Sequence, residues 1–446
     1  MSNGVLPNYL KMASPNPPDK RAPWYKGTAP AYAGIFLWVV FYMEIANGTL
    51  SRAGLGLSLL GLVIAALICH FLFYLVPGLY GMKTGYPLYV VGSSTYGTLG
   101  GFIMPGLLMG LLQFGWLAVN TAVSTSFILQ AVGTDASPMK PAFFIVAIIW
   151  ALIAVFVALK GIQYLGTVST YLPIVPLIMI LIVFFANVGS VADFKVAEPA
   201  GPLVGFLTII AIVVGFFATA GAAGVDFGMN NRNARDVQLG GLFGIALAII
   251  VAGGLPLIAV AGAHGANPEM ESFTFDAVIK AQGGFLAKIM FILFAIASFP
   301  PACFCSFIAG NSITTMFPKA NKTTMVLAGA IVAIILAVTG VALNLVGVFS
   351  IIGASFGPIC GSMVADYLLS GCKWTGPRKG VNLAGYIAWA VGFIVAILPM
   401  VGGQRFSFIN PAPVIAFVIG FVLYAILAKA GLQPEAVGMP STETPS

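Results

Sequence analysis

Gln113, Trp116 and Asn120 sit in the run LLMGLLQFGWLAVNTAVS, three and then four residues apart. Residues at that spacing share one face of an α-helix. An indole flanked by two amides is a set of groups suited to a flat polar ring. The indole offers a stacking surface, and each amide offers a donor and an acceptor to the ring's edge. The same amides also join helices to one another in lipid, and spacing alone tips the balance toward that packing. Gly106 and Gly110 of the same run make a GxxxG match, which reads as close helix contact.

Two other places carry unusual groups in apolar surroundings. The stretch VVGFFATAGAAGVDFG holds Gly215, Gly221 and Gly224 among alanines, beside Phe216 and Phe217. Glycine weakens a helix interior, and glycine-interrupted spans mark the broken helices of secondary transporters, whose freed backbone groups bind ligands. Tight packing of small residues reads equally well. Glu44 lies in IFLWVVFYMEIANGTL, where a central acid costs about 3 kcal/mol on insertion scales. It is placed to carry a proton or help bind a cation, or else sits nearer the outer interface with Arg52 as a loose partner.

The remaining titratable groups read more plainly. Asp226 and Asp366 fall near cytoplasmic helix ends, close to Arg232 and Lys373, and read as topological pairs. His70 and His264 lack metal-ligand spacing, and the five cysteines form no Cys-x-x-Cys pair. Neither a metal site nor a disulfide is expected.

All of these groups must be held by elements that cross a membrane. Of the 446 residues, 59% are hydrophobic and only 7% charged, far from the roughly 25% charged residues of a soluble domain. Apolar runs of about 20 residues recur along the chain, each long enough to cross a hydrocarbon core as a helix. Alternating strands of a transmembrane barrel are not seen. The pattern predicts an all-α polytopic membrane protein with twelve spans, at 30–51, 55–79, 98–132, 142–160, 166–188, 203–226, 238–263, 285–309, 324–344, 347–370, 382–402 and 411–430. The third run is long for one crossing and is expected to tilt.

The net charge of +7 comes from basic residues in short loops, so it signals topology and not a nucleic-acid partner. With the N-terminus inside, fourteen of the 20 Lys and Arg fall on the cytoplasmic side and six on the other. Both termini are therefore expected in the cytoplasm of an inner or plasma membrane. Residues 1–28 are polar and proline-rich without a cleavable apolar core, and read as a disordered cytoplasmic tail; 433–446 form a second tail. No protease motif, HExxH or Ser/His arrangement suggests an intramembrane enzyme, and no charge ring or carbonyl filter repeat suggests a channel.

Taken in order, several motifs resemble the nucleobase:cation symporter-1 family, and within it most nearly the cytosine permeases. They are GMKTGY after the second span, QFGW in the third, VGFFATAG…DF…NNRNAR through the sixth, GPICGSMVADYLL ending the tenth, and GVNLAGYIAWAVGF opening the eleventh. The resemblance covers most of the chain. It implies a leucine-transporter-like fold over 29–432: a first repeat over 29–189, a second inverted repeat over 202–371, and two extra helices over 381–432. It further implies a substrate site between the broken first and sixth helices and the third and eighth. Trp116 and Phe217 would sandwich a nucleobase-like ring, Gln113 would bond its edge, and Thr219 with the backbone near Ala220 and Gly221 would complete that edge. Asn120 is added from its place on the same face.

The family's sodium site uses first-helix carbonyls and two adjacent hydroxyl residues of the eighth helix. Here FAIASFPPACFCS supplies Ser298 but then Phe299, with Pro300 and Pro301 where cytosine permeases carry asparagines. Glu44 has no counterpart in their first span. One ligand lost and one acid gained leaves Na+ and H+ both open as the co-transported ion, with Ser298 the candidate sodium ligand and Glu44 the candidate proton carrier. Neither a cofactor nor an obligate protein partner is expected. The implied activity is import of cytosine or a related planar heterocycle. A same-fold carrier of hydantoin or allantoin, thiamine-like, or amino-acid or amine compounds stays open as the alternative.

Overall fold

The computed structural model describes residues 6–160, 171–196 and 201–439. The start of the expected N-terminal tail, the opening of the fifth expected span, part of the 189–202 break and the last seven residues lie outside the described residues. Among the described residues the chain is helical, and its only β pairing is two isolated bridges, Ala22 with Asn231 and Arg378 with Ala436.

Among the described residues, ten helices are long and apolar enough to cross a membrane: Leu50–Thr84, Phe102–Ala131, Pro141–Lys160, Ile174–Asp193, Pro202–Ala222, Ala234–Ala266, Gly284–Met316, Leu345–Leu369, Leu383–Phe406 and Ala412–Leu432. The other two expected spans appear as shorter pieces. The first is Thr28–Phe36 followed by Val39–Met43, and the ninth is Lys322–Val338. Twelve crossings are consistent with this set. Outer helices stay apolar on their exposed faces, as Ile145, Ile149, Leu152 and Phe156 do on Pro141–Lys160, because lipid replaces water there.

Three interruptions matter for the site. The first span breaks at Leu37 and Trp38, where Trp38 takes an extended conformation (φ −70°, ψ 127°). The sixth breaks at Ala223, between Pro202–Ala222 and the short helix Gly224–Gly228. The eighth breaks at Ser298, between Gly284–Ala297 and Phe299–Met316. Its cause is local: Pro300 and Pro301 have no N–H to return to the preceding turn. The third run is not one tilted helix, since Met104 leaves helical geometry (φ −114°, ψ 118°) and a regular helix follows from Leu108 to Ala131.

Small residues set the spacing between helices. A Cβ on Gly215 would lie 2.6 Å from the Phe349 carbonyl oxygen, and one on Gly221 2.8 Å from Phe73 Cβ. Gly110 meets Ser312 of the eighth span, whose hydroxyl donates to the Gly106 carbonyl at 2.8 Å. Gly110, Gly215 and Gly221 are thus contact points between helices.

The N-terminal segment departs from the expected disordered tail, because it has partners. Leu10 is fully buried, the Tyr9 hydroxyl donates to the Thr98 carbonyl at 2.7 Å, and Arg21 Nη1 donates to the Met82 carbonyl at 2.6 Å. The C-terminal segment lies on the same face: Lys379 N donates to the Glu435 carbonyl, Val437 N to the Pro377 carbonyl, and Thr98 N to the Arg378 carbonyl.

The two expected aspartate pairings also differ. Arg232 pairs with Asp236 at 2.8 Å and not with Asp226, whose carboxylate caps the Leu88 N–H at 2.8 Å. Asp366 is fully buried and takes Arg378, at 3.3 Å, in place of Lys373. Ser94, Tyr424 and Gln433 also donate to its carboxylate. A charge lacking water must gather donors from whatever elements meet there.

Candidate functional site

The third-span helix presents Trp116 to the break of the first span. Its ring centroid lies 5.4 Å from that of Trp38, at an interplanar angle of 62°. Phe216 of the sixth span stands 5.5 Å away at 75°, and Phe349 of the tenth 6.1 Å away at 41°. Phe216 and Phe349 meet edge-on at 5.3 Å. Four aromatic rings from four spans therefore form one box, and such pairs prefer these tilted and edge-on arrangements.

Phe217, expected opposite Trp116, faces elsewhere. It is fully buried, stacked on Phe36 at 5.7 Å and tilted against Tyr32 at 5.9 Å. Adjacent residues on a helix point about 100° apart, so only one of the two phenylalanines can reach the third span. The structure puts Phe216 there.

The amides behave differently from each other. Asn120 is fully buried, and its Nδ2 donates to the Trp116 carbonyl one turn back at 2.9 Å. Its Oδ1 has no partner among the described residues, nor has the hydroxyl of Ser124 on the next turn. Gln113 is half-buried, and among the described residues its amide makes only a long 3.7 Å contact to the Met109 sulfur. Each amide therefore keeps hydrogen-bonding capacity unused by its own helix.

Thr219, Ala220 and Gly221 are not in a break, because the sixth-span helix runs through them to Ala222. The Ala220 carbonyl accepts the Tyr32 hydroxyl at 2.8 Å, and Gly221 is pressed against Phe73 and Phe217. These positions tie the sixth span to the first and second.

Ser298 is fully buried at the eighth-span break, and its Oγ accepts the Trp38 indole N–H at 3.2 Å. The first and eighth breaks are thereby joined by one hydrogen bond. Glu44 ends the helix Val39–Met43, and its carboxylate accepts the Asn47 side-chain amide at 2.7 Å. No hydrogen bond among the described residues connects it to Trp116, Asn120 or Ser298. Arg52 is not its partner among them either.

Trp38, Phe216 and Phe349 were not singled out by sequence reasoning. Phe216 was visible beside Phe217, and Trp38 stood at the middle of a first span expected to break. Nothing in one chain's spacing brings Phe349 near the third span.

Curated relatives match the chain over most of its length. It is 27% identical over 389 residues to the cytosine permease of Escherichia coli O157:H7, covering 82% of this chain and 86% of that one. The chain is similar to cytosine permeases over most of its length. No family model matches. Among solved structures, an inward-facing conformation of Mhp1 superposes with a TM-score of 0.74 at 16% identity, covering 98% of this chain and 97% of the other. Mhp1 in a closed conformation with bromovinylhydantoin bound, described as a nucleobase-cation-symport-1 family transporter, gives 0.66 at 17% identity and 94% coverage of both chains. The chain thus has the expected leucine-transporter-like fold. It is an integral membrane transport protein whose relatives are permeases and not enzymes.

Proposed function

We propose that this protein is a symporter that takes up a nucleobase-like planar heterocycle, driven by a monovalent cation gradient. The observation that carries the reading is the aromatic pair Trp116 and Phe216, backed by Phe349 and closed over by Trp38, with the Asn120 Oδ1, which has no partner among the described residues, one turn from Trp116. Trp116 and Phe216 clamp the ring, and Gln113 and Asn120 read its edge. A buried acceptor rejects a ring that offers no donor, since the acceptor then stays unpaired. Relatedness to a cytosine permease and the fold shared with a hydantoin-bound transporter support this substrate class.

The cation sits at the junction of the first and eighth breaks, with Ser298 as its hydroxyl ligand. Glu44 bonds Asn47 and shares no hydrogen bond with Ser298 or the aromatic pair among the described residues, so this reading gives coupling to Ser298 and leaves proton carriage by Glu44 as its alternative. Alternating access comes from one helical bundle rocking about the breaks, between the repeats 29–189 and 202–371. The excess of basic residues on one side and the meeting of both ends on one face support cytoplasmic termini in an inner or plasma membrane.

Thermal-shift and uptake measurements on purified, reconstituted protein test this. Cytosine, uracil, purines, allantoin and hydantoins are screened with sodium or choline at several pH values. Stabilisation by at least one heterocycle, strengthened by sodium and retained in Glu44→Gln, is the expected outcome. A chain that no heterocycle stabilises does not have this function.

A further inference from the structure

Trp38 touches both halves of the proposed machinery. Its ring stands 5.4 Å from Trp116 and 6.2 Å from Phe216, the two rings assigned to the substrate. Its N–H occupies the oxygen of Ser298, the hydroxyl assigned to the cation. The residue is itself at the first-span break, in extended backbone between two short helices.

Both ligands conflict with this placement. A ring held between two aromatic faces keeps them about 7 Å apart, two van der Waals contacts of about 3.5 Å, whereas Trp116 and Phe216 are 5.5 Å apart and nearly perpendicular. Opening them displaces Trp38, which packs on both. A cation on Ser298 Oγ needs the oxygen's electron density, and an indole hydrogen on that oxygen faces the cation with like charge in a low-dielectric interior.

We propose that Trp38 is the positioning residue that links the two binding events: in its observed place it blocks both sites, and whichever ligand binds first moves it away for the other. This rests on the symporter reading above. The cost of moving Trp38 falls on the first ligand only, so each ligand tightens the other. The linkage is reciprocal by thermodynamic necessity and amounts to roughly tenfold in affinity.

The test uses the full-length chain labelled with fluorotryptophan, with the Trp38 fluorine NMR signal assigned by its loss in Trp38→Phe. Sodium chloride alone, against choline chloride, shifts that signal, and Ser298→Ala shifts it without sodium and abolishes the sodium response. Heterocycle affinity in choline rises about tenfold in Trp38→Phe, and the sodium-to-choline affinity ratio falls toward one. A Trp38 signal indifferent to sodium overturns the proposal, as does a Trp38→Phe chain keeping the wild-type ratio. If the wild-type chain binds no heterocycle of the panel, the symporter reading fails as well. If it binds one in a sodium-dependent way that Trp38→Phe preserves, only the role of Trp38 fails. Should Trp38→Phe not fold, the Trp38 signal is assigned by elimination, from phenylalanine variants of the other five tryptophans, and its response in the Ser298→Ala chain, which leaves Trp38 in place, decides the question.

Discussion

Phe216 and Phe217 are chain neighbours with separate tasks, and substitution distinguishes them. Phe216 faces Trp116, so Phe216→Ala and Trp116→Ala should each weaken heterocycle binding about 5- to 150-fold, the range expected for aromatic stacking of about 1–3 kcal/mol. Isothermal titration reads this directly. Phe217 is sealed between Phe36 and Tyr32. Phe217→Ala should lower thermal stability by about 3–5 kcal/mol and leave the affinity of the folded protein near wild type. The opposite pattern, affinity lost at Phe217 and kept at Phe216, would return Phe217 to the binding face. At Asn120, replacement by Leu removes an acceptor that has no partner among the described residues. It should remove discrimination between rings that differ in edge donors while costing little stability, as competition binding would record.

Helices are interrupted where their backbone loses partners and held close where their residues are small. The sixth-span glycines, legible in the sequence either as a break or as packing, turn out to be packing points, with the break at Ala223. A methyl on Gly215 meets the backbone oxygen of Phe349 at 2.6 Å, an atom that cannot rotate away. Gly215→Ala should therefore cost about 1–3 kcal/mol of stability through overpacking, visible as a lower melting temperature. It should also disturb the Phe216–Phe349 pair and with it heterocycle affinity. The eighth-span break was legible from Pro300 and Pro301, since missing N–H groups are a property of residue type. The first-span break at Leu37 and Trp38 contains neither proline nor glycine, the nearest being Gly34 a turn earlier, and only resemblance and tertiary contacts place it.

Across the whole molecule, one buried carboxylate gathers the ends of several spans. Asp366 of the tenth span accepts from Ser94 before the third, Tyr424 of the last, Gln433 of the C-terminal segment and Arg378 of the loop after the tenth. Arg378→Ala leaves that charge without its cation. It should destabilise the protein by about 3–5 kcal/mol and expose 433–437 to limited proteolysis, because Arg378 Nη1 also holds the Pro434 carbonyl at 3.2 Å. Unchanged melting and protease resistance would demote this cluster to a passive contact. The N-terminal segment joins the same face through Tyr9 and Thr98, so both ends brace the surface where the spans converge.

Composition and apolar run length by themselves determined a helical membrane protein with spans close to those observed, because lipid imposes a local rule on every crossing segment. The ordered motifs determined the family likeness, and the spacing of Gln113, Trp116 and Asn120 determined a shared face. Tertiary structure alone decided which neighbours that face meets: Phe216 in place of Phe217, Phe349 from a distant span, and Trp38 between Trp116 and Ser298. It also decided that Asp366 pairs with Arg378 and that the N-terminal segment packs. Periodicity fixes angles within one helix. The rotation of one helix against another depends on contacts between residues far apart in the chain, which no single stretch of sequence contains.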